Sequence, residues 1–333
     1  MKEGDRTLKT RFAPVAALLF VLLATSNVSA THYNSLYAFV DSLSDIGSNP
    51  SATLSIYNIL GGNCDPGHPC PPYFDGRYSN GPVASEYLAD AILPGGGQPA
   101  NYFSFAVSGS TTGIGNFGDG GTASSVGAFG LPGMAQQFGL YFSTAPTPDP
   151  DALYMVWGGA NDFLTLDSPI TAAQNVATYV ASLAAINAAN ILVPNIPDLS
   201  LTPFINIYNP GLAAVAQGFS LAFNAELASQ LDIVSALFPA TDIIEYDIFS
   251  LFNDVVANPS EYGLANVTDA CLLVACSNPN EFLFWDDFHP TTRGHAIIAS
   301  EFASAVPEPA SLVLIFLGLA GIGYQQRRQI KAA

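Results

Sequence analysis

The sequence predicts an α/β fold in which a parallel sheet is covered by helices on both faces. Two observations carry this. Five short β-rich runs alternate with helical patterns along most of the chain. Turn residues sit where each run should stop, above all Pro and Gly. In order, Leu36–Val40 reads as a buried strand. Residues Pro82–Leu93 read as a helix, opened by Ser79-Asn80-Gly81 with proline in the first turn. Asn101–Val107 is the second strand, followed by a glycine-rich stretch, Gly109–Gly133. Leu153–Trp157 is the third strand and Thr171–Ala189 a helix. Asn190–Val193 is the fourth strand, stopped by Pro194 and Pro197. A long helix lies within Gly211–Leu237, Asp242–Tyr246 is the fifth strand, and Thr292–Ala305 a final helix. In such sheets ligands bind beyond the carboxyl ends of the strands.

The domain proper is expected at residues 31–305, a length that supports one sizeable core. Residues 1–30 read as an export signal: a basic start with Lys2, Arg6, Lys9 and Arg11, an apolar run Phe12–Ala24, and the small residues Val28-Ser29-Ala30. At the other end, Val306-Pro307-Glu308-Pro309 leads into an apolar segment, 310–324, and then Arg327-Arg328. An apolar stretch followed by a basic cluster is a stop-transfer pattern, with a membrane-spanning helix expected over 310–324.

Of the nine Lys and Arg, only Arg77 and Arg293 fall in 31–305, whereas all acids except Glu3, Asp5 and Glu308 do. So acidic a surface repels phosphate backbones and anionic membranes, which argues against nucleic acid as a partner. Four cysteines form two close pairs, Cys64 with Cys70 and Cys271 with Cys276. In an exported protein such pairs predict disulfides closing short loops. Zinc is the rival reading, but neither pair has CxxC spacing and only His68 lies beside one.

Ser42 follows the first strand directly, and a serine hydroxyl becomes a nucleophile when a base takes its proton. Among the histidines, His32 lies at the start of the domain, His68 inside the Cys64–Cys70 loop and His295 within the last helix. Exposed or capping roles are expected for these three. His289 precedes Pro290, in a loop before the last helix, and Asp286 lies three residues earlier. That spacing lets the carboxylate hold one imidazole nitrogen and leave the other for Ser42. The third strand runs into Gly158-Gly159-Ala160-Asn161-Asp162, where Asn161 can donate a side-chain N–H to a developing oxyanion. The second strand runs into Ser108-Gly109-Ser110, where Gly109 lets a backbone N–H approach substrate.

With these blocks in order, the chain resembles the GDSL/SGNH esterase–lipase family, in its lecithinase/hemolysin-like branch. The serine block is Phe39–Gly47, the glycine block Asn101–Thr112, the asparagine block Gly159–Asp162, and the Asp-x-x-His block Asp286–His289. Two further runs match that branch, Gly76–Pro82 and Ile191–Asp198. The resemblance implies a three-layer α/β/α sandwich with a mostly parallel five-stranded sheet, the flavodoxin-like SGNH-hydrolase arrangement. It implies Ser42 as nucleophile, His289 as general base and then acid, and Asp286 as its orienter. The oxyanion hole would be the backbone N–H groups of Ser42 and Gly109 with the Asn161 side chain. The implied substrate is an ester, whether lipid, short-chain ester or acylated glycan, with no metal or organic cofactor. One position departs from the pattern: the family has glycine before the Asp-Ser pair, and this chain has Val40, which suits a strand end. The C-terminal Pro-Glu-Pro box, apolar helix and Arg cluster resemble the PEP-CTERM sorting tail of Gram-negative bacteria. That implies an exosortase-type processing partner, transient inner-membrane anchoring, and a final place in the periplasm or on the cell surface.

A second glycine pattern is a decoy. Gly113-Ile114-Gly115-Asn116-Phe117-Gly118 matches GxGxxG, but it opens no helix and no acid follows about 20 residues on. It is expected to be a flexible loop near the site. No GxSxG is present, which argues against an α/β-hydrolase elbow.

Overall fold

A computed structural model of the chain describes residues 33–144 and 147–307. The export signal over 1–30 and the helix expected over 310–324 lie outside the described residues. Among the described residues, no helix is long and apolar enough to cross a membrane.

Five parallel strands form the main sheet: β1 (Ser35–Phe39), β2 (Tyr102–Ser104), β3 (Ala152–Val156), β4 (Asn190–Pro194) and β5 (Asp242–Tyr246). Their spatial order is β2-β1-β3-β4-β5, the flavodoxin-like order, with the switch point between β1 and β3. The register pairs Leu36 with Leu153 and Phe39 with Val156, so equivalent side chains share a face. Leu36, Ala38, Val40, Leu153, Met155 and Leu192 pack on one side. They meet α2 (Ala84–Ile92), α7 (Ile248–Ala257) and α8 (Thr292–Ala305). Phe39, Tyr154, Val156, Ile191 and Val193 pack on the other side. There they meet α3 (Met134–Thr144), α5 (Pro169–Ala185) and α6 (Ala213–Leu237). Two apolar layers on one pleated sheet give the three-layer α/β/α fold expected from the alternation of elements.

The expected elements are all present, with shifts at their ends. The first long helix begins at Ala84 rather than Pro82, because Val83 is extended and serves as the cap. The Glu86 side chain accepts a hydrogen bond from the Val83 N–H at 3.0 Å, half of a capping box. Strand β2 is shorter than expected, although Phe105 still donates to the Ala38 carbonyl at 2.8 Å beyond it. Ser168 caps α5, with Pro169 in its first turn.

The sequence pattern missed four helices, the short α1 (Ile56–Ile59), α3, α7 and the one-turn α4 (Ala160–Leu164), and a two-stranded parallel sheet of β6 (Asn266–Ala270) and β7 (Phe282–Phe284). Helix α3 follows the glycine-rich stretch and carries Gly139 in its interior, which blurs its signal. The small sheet positions the histidine loop: the Trp285 N–H donates to the His289 carbonyl at 2.7 Å directly after β7. Disulfides join Cys64 to Cys70 and Cys271 to Cys276 as expected.

Candidate active site

A cavity of about 790 Å³ opens over the carboxyl ends of β1, β3 and β4. Ser42, Gly109, Asn161 and His289 all line it, so four distant segments of the sequence meet there.

The turn after β1 is built by Asp41, whose carboxylate accepts from the Leu43 N–H at 3.0 Å. That fixes the backbone around Ser42. Val40, in place of the family's glycine, is fully buried in the core and does not line the cavity. Burying a valine side chain contributes about 1.5–3 kcal/mol that a glycine would forgo, so the departure favours packing beneath the turn.

Two buried carboxylates join the strand ends. Asp45 accepts from the N–H groups of Ile56 and Ser108 at 2.9 Å each, which ties the serine block to the glycine block. Asp162 accepts from the Thr112 N–H at 2.9 Å and its hydroxyl at 2.7 Å, which ties the asparagine block to the same loop. Burial pushes their carboxyls up, to about 6 for Asp45 and about 7 for Asp162, against the pull of these donors. Asp45 and Asp162 sit inside recognised runs, yet sequence spacing gave no sign of what they hold.

Gly109 has φ +76, and a Cβ there would lie 2.3 Å from Asn116 Oδ1, so only glycine fits. Asn116 is the clamp of that loop, donating from Nδ2 to the carbonyls of Ser108 at 2.8 Å and Pro132 at 3.0 Å. The GxGxxG stretch was expected to be flexible. It is instead a hydrogen-bonded loop packed onto the start of α3, with Ala135 N–H donating to the Gly113 carbonyl at 3.1 Å. Asn161 Nδ2 donates to the Ser110 carbonyl at 3.0 Å and to Asp41 Oδ2 at 3.2 Å. Both its N–H bonds are therefore engaged, and the longer one, to Asp41, is the one a ligand oxygen could share.

Asp286 and His289 form the expected pair. His289 Nδ1 lies 2.8 Å from Asp286 Oδ2 and 2.9 Å from Oδ1. The carboxylate also accepts from the backbone N–H groups of Phe288 at 2.9 Å and His289 at 2.7 Å, and from the Tyr73 hydroxyl at 2.8 Å. With Nδ1 held, Nε2 is the free ring nitrogen. Burial disfavours charge on both groups, but their mutual attraction wins: Asp286 is held below the usual carboxylate range and His289 is raised above 6.5. Asp41 and Asp287 add to the rise at His289.

Two histidines depart from the roles expected of them. His295 is fully buried on α8, with no hydrogen-bond partner at either ring nitrogen among the described residues. His68 is partly buried against Tyr73 and Tyr78, with its ring centroid 6.0 Å from that of His289. His32 lies outside the described residues. The spacing within the Cys64–Cys70 loop could not reveal the approach of His68, because the contact crosses more than 200 residues of sequence.

Residues 36–302 match the family model described as GDSL-like Lipase/Acylhydrolase, and residues 305–328 match the PEP-CTERM protein-sorting motif. Esterase EstA of Pseudomonas aeruginosa is 29% identical over 90% of this chain, and the chain spans about half of that protein's length, 51%. A GDSL esterase/lipase of Arabidopsis thaliana is 23% identical, over 85% of this chain and 94% of its own. Among solved structures, a lipolytic protein of the G-D-S-L family from Veillonella parvula aligns over 80% of this chain and 94% of its own. Its identity is 13% and its TM-score 0.41.

Proposed function

The chain belongs to the GDSL-like lipase/acylhydrolase family, and on that footing we propose that it is an exported serine esterase acting on esters with an apolar acyl chain. The carrying observation is His289, held by Asp286 at 2.8 Å, on the wall of the cavity that also holds Ser42. Ser42 Oγ attacks the ester carbonyl while His289 Nε2 takes its proton. The backbone N–H groups of Ser42 and Gly109 and the Asn161 amide stabilise the oxyanion. Collapse expels the alcohol, which takes the proton back from His289. Water then attacks the acyl-enzyme with His289 again accepting a proton; collapse breaks the bond from Ser42 Oγ to the acyl carbon, Oγ takes the proton back from His289, and the carboxylic acid leaves. Asp286 orients the imidazole and stabilises its charged form throughout.

The cavity's size and lining favour the acyl side. Phe163, Leu164, Leu199, Phe204 and Phe288 line it, and among the described residues no Lys or Arg does. The lining offers an acyl chain burial worth about 0.8 kcal/mol per methylene. The sorting motif supports export, with processing by an exosortase-type enzyme, transient anchoring through 310–324, and a final place in the periplasm or at the cell surface.

The test compares p-nitrophenyl octanoate with the acetate, using the purified protein. Octanoate should be preferred by at least about tenfold in kcat/KM, and Ser42→Ala should abolish both reactions. A preference for acetate would overturn the acyl-chain reading in favour of a deacetylase of glycans. Undiminished hydrolysis by Ser42→Ala would overturn the mechanism.

A further inference from the structure

His68 and His289 approach one another from opposite ends of the chain, and each is held the same way. His68 Nδ1 lies 2.9 Å from Asp65 Oδ2, as His289 Nδ1 lies 2.8 Å from Asp286 Oδ2. At His68 the carboxylate on one ring nitrogen leaves the other as a basic, oriented ligand, the arrangement found behind metal-bound imidazoles, whereas at His289 the ligand nitrogen beside Asp286 is Nδ1 itself. One ligand-type atom from each of His68, Asp286 and His289 lies within 4.8 Å of the others. We propose that His68, His289 and Asp286 form a binding site for a zinc-class divalent cation, and that filling it switches the esterase off.

Imidazole nitrogens select zinc and its first-row neighbours over magnesium or calcium, which take oxygen ligands. Tetrahedral zinc with Zn–N near 2.0 Å needs ligand atoms about 3.3 Å apart, so the three groups must close by up to about 1.5 Å. The adjustment falls to the His68 side chain, which is 31% exposed within the short Cys64–Cys70 loop, because His289 is buried beside β7. Electrostatics favour the cation as well: Asp41, Asp65 and Asp287 line the same cavity, and among the described residues no Lys or Arg does. A metal between Asp286 and His289 Nδ1 leaves the neutral ring its proton on Nε2, so no lone pair remains there for the Ser42 proton, and bound metal and catalysis exclude each other. That inhibition rests on His289 being the base; the binding does not.

The experiment titrates the purified full chain with zinc chloride, following heat of binding and ester hydrolysis in parallel. The expected result is one site of micromolar affinity, with inhibition at matching concentration that EDTA reverses. His68→Gln should keep the metal-free rate and weaken both binding and inhibition by at least about tenfold. Cobalt(II) added to the unaltered protein should give the visible absorption of a low-coordinate nitrogen-ligated ion, which checks the site without any substitution. Absent binding at micromolar zinc, or identical binding by His68→Gln, overturns the site. Zinc binding that depends on His68, in a protein without metal-free hydrolysis, keeps the site and rejects the esterase reading instead.

Discussion

Arg77 offers the sharpest prediction about stability. It is one of two basic side chains among the described residues, and it is buried against Glu86. Nε donates to Oε2 at 3.0 Å and Nη2 to Oε1 at 2.7 Å, a two-point pair, while Nη1 reaches the Asp75 carbonyl at 3.3 Å. Arg77→Met keeps the apolar stem but strands a buried carboxylate, which costs about 3–5 kcal/mol in comparable pairs. Glu86 would retain two donors, the Val83 N–H at 3.0 Å and Asn49 Nδ2 at 2.8 Å. The expected loss is therefore at the lower end, about 3 kcal/mol. Urea unfolding of Arg77→Met, Glu86→Leu and the double variant measures it. The double variant should be at least about 1 kcal/mol more stable than the sum of the single losses predicts, since it leaves no unpaired charge. A loss under about 1 kcal/mol for Arg77→Met, or strict additivity, would refute the claim that the buried Glu86 carboxylate depends on Arg77 as its charged partner.

Three further outcomes are expected. Because His289 is raised above 6.5 and must be neutral to accept a proton, kcat/KM should fall on acidification with a midpoint above 6.5. Asp41→Asn should move that midpoint down; a wild-type midpoint below 6.5 contradicts the assigned cause. Burial, with the nearby His289, holds His295 down to about 3. The unfolded chain then binds this proton first, so its contribution is complete above about pH 6.5 and is lost as pH falls toward 3. Relative to His295→Leu, the protein should lose about 1.4 kcal/mol of urea-measured stability per pH unit across that window, and parallel curves would contradict this. Gly159 has φ +126, and a Cβ there would lie 2.5 Å from the Phe223 ring. Gly159→Ala should destabilise by about 2 kcal/mol on urea unfolding, with a matching drop in hydrolysis as the Asn161 turn shifts. Unchanged stability would refute that crowding.

The parts of the fold that the sequence made legible were those with strong local periodicity. Strand β5 and helix α8 have the bounds expected, because Pro290 and Thr291 mark the start of α8 and the aliphatic run of β5 is compact. Helix α7 was hidden by its brevity and by the β-branched residues within it. Strands β6 and β7 were hidden because each gains meaning only from the other, across a disulfide-closed loop. At the candidate site, Ser42, Gly109, Asn161, Asp286 and His289 could be named because each follows a recognisable strand end or spacing. The side chains that hold them could not. Asp45, Asp162 and Tyr73 act through partners far away in sequence, and His295 looked like an ordinary helical polar residue until burial set its chemistry.

The central claim is that His289 activates Ser42. A fluorophosphonate reacts with a serine only when its hydroxyl is activated, so the purified protein should take up one such group. Mass mapping should place it on Ser42, and His289→Ala should abolish the labelling while the protein stays folded. Label on another residue, or none on the folded wild-type protein, would contradict the account.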